Sequence, residues 1–110
     1  MRIVAPAPGR PIDRFGSVGF THRRLAASDD VHVSRIVLEP GGRVGRHPAA
    51  SAQLLVVVEG SGVVSGADGA ERPVEAGAAV LWDAGEEHET RTESGLVAIA
   101  VEAGSLRPAT

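Results

Sequence analysis

The sequence predicts an all-β fold, a small barrel or sandwich of antiparallel strands. Short runs rich in Val, Leu and Ile recur along it, and no segment holds a helical period. The 14 glycines and 7 prolines supply the turns that many short strands need. At 110 residues the chain has room for one domain. It has none for repeated βαβ crossovers, which take roughly thirty residues each.

The elements follow in order. Residues 1–20, rich in Pro and Gly, read as an extended arm with an edge strand, in which Phe15 and Phe20 are anchors for the barrel or for a second subunit. Residues 21–104 are expected to form the barrel, beginning with Thr21 to Ala27 and a turn at Ser28-Asp29-Asp30. Along Val31 to Glu39, alternation puts Val31, Val33, Arg35 and Val37 on one side and His32, Ser34, Ile36 and Leu38 on the other. Pro40-Gly41-Gly42 is expected to end that strand. Gln53 to Glu59 is the most strand-like segment, and Glu59-Gly60-Ser61-Gly62 is expected to reverse the chain into Val63-Val64-Ser65. Asp68-Gly69 is a two-residue hairpin turn, and Pro73 marks an edge position or a strand end. Ala78 to Trp82, His88 to Thr92 and Leu96 to Val101 complete the set, with the acidic loop Asp83-Ala84-Gly85-Glu86-Glu87 between the first two. Residues 105–110 read as a loose tail.

Composition narrows the function. A net charge of −3 supplies no positive field for nucleic acid or an anionic membrane surface. Cysteine is absent, which removes disulfides, thiolate metal sites and a cysteine nucleophile. Met1-Arg2-Ile3-Val4 gives way to Pro and Gly without the apolar stretch of a secretion signal, and the run from Leu54 to Val58 is too short to cross a bilayer. A cytoplasmic protein is expected. There is no phosphate-binding glycine loop, no HExxH pair and no nucleophile elbow. Ser51 lies near His47 in sequence but lacks the activating groups of a serine nucleophile.

Two segments carry a more specific signal. Gly41, His47, Ala49, Gln53 and Gly60 stand at one set of spacings, and Gly77, Asp83, Gly85, His88 and Thr92 at another. With these spacings the chain resembles the cupin superfamily. The first motif of that family places a glycine, two histidines, a glutamate and a glycine there; the second places a glycine, a proline, a glycine, a histidine and an asparagine. The resemblance spans Gly41 to Thr92 and implies a single cupin-type double-stranded β-helix, a jelly-roll barrel. It also implies that the family's four metal-ligand places hold His47, Ala49, Gln53 and His88. One imidazole has thus become a methyl group and the carboxylate an amide, so a divalent transition metal (Zn, Fe, Ni, Mn or Cu) would be held weakly by His47, Gln53 and His88, or not at all.

His47, Ala49, Gln53, Leu55 and Val57 share one parity, so the barrel would aim them inward, with His88 entering from a neighbouring strand. The expected pocket comprises these six together with Trp82 and Arg35, floored by Leu55, Val57 and Ile36 or Val37. Arg35 either meets a ligand carboxylate inside or lies at a subunit interface, and Trp82 either walls the cavity or packs in the core. His22 and His32 read as surface or half-exposed positions, and Glu86, Glu87 and Glu89 as a charged rim. No residue stands out as catalytic. The reading is a cupin that binds a small organic molecule. Two alternatives stand beside it: a metal-dependent enzyme of oxygenase or isomerase type, and a dimeric structural or regulatory barrel without ligand. A homodimer is expected, since pairing would cover exposed strand edges.

Overall fold

A computed structural model describes residues 1–109; Thr110, the last residue of the expected tail, lies outside the described residues. The strands are β1 (Arg10–Ile12), β2 (Val18–Ala27), β3 (Val31–Pro48), β4 (Ala52–Ser65), β5 (Glu71–Glu75), β6 (Ala79–Trp82), β7 (Glu87–Arg91) and β8 (Leu96–Ala103). The described residues form no α-helix, only a single 3-10 turn at Arg14–Gly16. Neighbouring strands are antiparallel in the order β1-β2-β3-β7-β4-β5. Strand β8 pairs with both β3 and β4, so β3, β7, β4 and β8 close into a barrel, while β6 adds to β4. This is the jelly-roll architecture of a cupin.

Two places expected to break the chain instead turn corners. Strand β3 runs through Pro40-Gly41-Gly42; its first half pairs with β8 as far as Leu38↔Leu96 and its second half pairs with β7 from Arg43 onward. Gly41, at φ 80°, lets the extended chain swing from one partner to the next. Strand β4 likewise runs through Gly60 without reversing: it leaves β8 at Gly60↔Leu96 and takes up β5 and β7. Gly60 has φ 78°, and a Cβ there would collide with the carbonyl of Gly95. The reversal comes later, at Asp68-Gly69, where Ser65 pairs with Glu71. Pro73 lies in β5, at the edge of the sheet, where its missing N–H costs no ladder bond.

Alternation decides the two faces. Ser34, Ile36 and Leu38 on β3, Leu55 and Val57 on β4, and Leu96, Ala98 and Ala100 on β8 are buried. Leu38 and Leu55 are 2% exposed, and burying a side chain of that size stabilises the fold by about 1.5–3 kcal/mol. The intervening Val97, Ile99 and Val101 lie half-buried on the outside.

Candidate functional site

His47 on β3 and His88 on β7 are direct cross-strand partners, and their ring centroids stand 4.5 Å apart with a 50° tilt. Each ring is tethered to the carbonyl two residues behind it: His47 Nδ1 lies 2.7 Å from the Gly45 oxygen, and His88 Nδ1 lies 3.1 Å from the Glu86 oxygen. A carbonyl can only accept, so both Nδ1 atoms carry a proton, and the lone pair that a neutral ring holds falls on Nε2. The two strands thereby present two acceptor nitrogens side by side. His88 is 2% exposed, and burial holds its pKa below the ordinary histidine value; the neighbouring His47 adds to this, while the Glu86 carbonyl opposes it. It is therefore neutral at pH 7. Trp82 packs against it at 4.6 Å and donates its indole N–H to the Ser65 carbonyl at 3.2 Å.

The other face of His47 is covered by the N-terminal arm. Phe15 stacks on it with centroids 4.4 Å apart and planes 3° from parallel, and the Arg14 guanidinium lies 4.8 Å above the Phe15 ring. Phe15 reaches this position at φ 59°, a left-handed conformation unfavourable for a residue with a Cβ. The strap is pinned from below. The Gly45 N–H donates to Ser17 Oγ at 2.9 Å, and Arg43 Nε donates to the Gly16 carbonyl at 2.9 Å. A Cβ at Gly45 would collide with the Phe15 carbonyl, so the strap can lie this close only on a glycine.

Strap and barrel enclose a cavity of about 270 Å³. Of the residues expected in it, His47, Gln53, Leu55 and His88 line it, and Ile36 joins them. Ala49, Val57 and Trp82 are buried in the wall without lining the cavity. Arg35 is exposed on the outer face opposite Arg23, and Val37 shares that outer parity. His32 is exposed.

His22 and Glu102, neither of them anticipated, also line the cavity. A signal for the second was present in the alternation Leu96, Ala98, Ala100, Glu102, which continues the inward row of β8. His22 stands opposite Ile36 in the β2/β3 register. Its pKa is lowered by burial and by Arg24, against an upward pull from Glu102.

The acidic loop has a structural role at Glu86, whose carboxylate accepts the backbone N–H groups of Asp83 at 3.0 Å and Ala67 at 3.1 Å. Among the described residues no three His, Cys, Asp or Glu side chains converge as metal ligands. Ala49 offers no donor. The groups that fit an ion are the two bare Nε2 atoms and the amide oxygen of Gln53, a neutral set without a carboxylate.

The model of the Cupin domain family matches residues 34–102. Comparison with curated proteins gives no match. Among solved structures, the chain is similar to the polyketide cyclase RemF from Streptomyces resistomycificus, at 22% identity over 98% of this chain and 82% of that one, with a TM-score of 0.82. It is similar also to a predicted oxalate decarboxylase from Thermotoga maritima, at 24% identity, 91% and 92% coverage and a TM-score of 0.78. An RmlC-like cupin from Shewanella frigidimarina matches at 21% identity, 79% and 78% coverage and a TM-score of 0.74. These likenesses are likenesses of fold. The family match covers well over half the sequence, including every strand of the closed barrel at least in part, and the chain belongs to the cupin family.

Proposed function

We propose that this cupin binds a small organic molecule in the cavity between strap and barrel, oriented by His47, His88 and Gln53. The observation that carries the reading is the pair of Nε2 lone pairs held side by side by backbone tethers and left without a protein partner among the described residues. An apolar pocket with a few convergent polar groups is the usual form of a small-molecule site. Two of the similar structures are named for reactions on small organic molecules, which supports the same reading. A fragment screen followed by amide and imidazole NMR shifts tests it. Shifts clustered at Gln53 and His88 are expected; a cavity that takes up no fragment would leave only a structural barrel.

The same nitrogens, with the Gln53 amide oxygen, are the groups that would hold a divalent transition ion. When bound, it would supply Lewis acidity toward a ligand oxygen. Affinity should be modest, because no carboxylate offsets the cation's charge. Chelator-stripped protein is expected to take up about one equivalent of Zn(II) or Ni(II), and His88→Ala to take up none. Absence of uptake by the unaltered protein would remove the ion and leave the organic ligand.

We further propose a homodimer. The outer faces of β8, β4 and β3 carry half-buried Val97, Ile99, Val101, Leu54, Val56 and Val37, and Ile3 and Val4 of the arm are exposed. A light-scattering mass of one chain at micromolar concentration would overturn this.

A further inference from the structure

We propose that His22 and Glu102 form a second recognition pole in the same cavity, which reads a hydroxyl donor on a neutral, flat, ring-shaped ligand whose other polar edge meets His47 and His88. This rests on the cavity reading above and names the class of ligand. Glu102 closes the inward row of β8, and Gln53, its direct partner in the β4/β8 register, lines the same cavity as the imidazole pair.

The polar groups around the cavity fall into two sets. Beside the cavity Arg24 Nε donates to Ser34 Oγ at 3.0 Å, and in its lining Ser17 Oγ accepts from Gly45. These are satisfied, as interior polar groups generally are. His22, Gln53 and Glu102, among the described residues, make no side-chain hydrogen bond or ion pair, and all three line the cavity. Their capacity is free for a ligand.

The chemistry of that capacity is specific. A carboxylate only accepts, and His47, His88 and neutral His22 each offer an acceptor nitrogen, so acceptors outnumber the donors that the second nitrogen of His22 and the Gln53 amide supply. A ligand lacking donors would leave these groups unpaired, which costs more than an unmade contact elsewhere. At this pole an anionic group is disfavoured by Glu102 and a cationic one by Arg24 beside His22. The walls between the poles are apolar and include two flat rings, Phe15 and Phe20, with Ile36 and Leu55. A neutral hydroxylated ring compound satisfies all of these conditions, and the volume limits it to a single or small fused ring system.

The test uses the intact chain and three probes of one shape: 2-naphthol, 2-methoxynaphthalene and 2-naphthoate, with dissociation constants from ligand-observed NMR. Wild-type protein is expected to prefer the naphthol over the capped ether by about tenfold, and over the naphthoate by more. Glu102→Gln and His22→Leu should each cut that preference to below about threefold, because the naphthol loses its partner and the ether no longer leaves one unpaired. Thermal melts establish that both variants fold, and either one alone suffices for the measurement. Equal binding of the three probes, or a preference that survives both substitutions, would overturn the second pole and leave the cavity reading intact. Failure of every probe to bind wild-type protein would overturn both together.

Discussion

The closed barrel and the N-terminal strap meet at His47, and they hold it by opposite means. The barrel fixes the ring through strand pairing, with His47 opposite His88 just past a shift in the β3/β7 register and each ring tethered to its own strand. The strap fixes the outer face with an irregular turn, a left-handed Phe15 and a contact that only Gly45 permits. Strand pairing places the nitrogens; the strap covers one face of His47.

Substitutions separate the two parts. Leu55→Ala strikes the barrel, where a buried Leu lost to a cavity costs about 2–5 kcal/mol; a large drop in melting temperature is expected, with loss of the ligand site as a consequence. A barrel that melts unchanged would mean that Leu55 is not part of the cooperative core. Gly45→Ala strikes the strap alone. Its new methyl group must push the Phe15 carbonyl away, and the lost stacking and hydrogen bond are worth about 1–2 kcal/mol together. The expected result is a small fall in melting temperature with a His47 ring newly open to solvent in NMR exchange. Collapse of the whole fold would show that strap and barrel are one unit.

Acidification acts on the barrel and on β2, the strand paired to it. His88 and His22 have pKa values held below the ordinary 6.5, chiefly by burial, so below that pH the unfolded chain binds protons that the folded chain refuses. Stability should therefore fall as the pH drops from 7.5 through 6.5 to 5.5, and His88→Gln should flatten the slope. A melting temperature constant over that range would contradict the buried neutral ring. The smallest effect is expected from Phe15→Gly. Relief of the left-handed backbone, worth about 1–2 kcal/mol, offsets the lost stacking of about 0.5–1.5 kcal/mol. Near-constant stability with weaker ligand binding is the expected pair of results, measured by melts and titration; a large stability change would place Phe15 in the core.

The barrel was legible because its signals are local and periodic. Alternation along β3, β4 and β8 separates inner from outer residues, and the spacing of Gly41, His47, Gln53, Gly60, Gly85 and His88 places the two imidazoles on adjacent strands. The corners were not legible as corners. Pro40-Gly41-Gly42 and Gly60-Ser61-Gly62 have the composition of turns, and only the exchange of pairing partners distinguishes a bend in a continuous strand from its end. The strap was beyond local signals, since a left-handed Phe is unfavourable in isolation and exists through contacts with residues some thirty positions away. His22 was missed for a related reason: β2 carries partly buried residues along most of its length, so alternation there does not announce which side faces in.

The tethers on His47 and His88 are main-chain oxygens, each two residues back on the same strand. No amino-acid exchange at Gly45 or Glu86 removes a carbonyl. The tethers of both rings therefore do not depend on which side chains stand at positions 45 and 86. Retuning the angle between the rings would take an insertion or deletion within the strand, a rarer and more disruptive event.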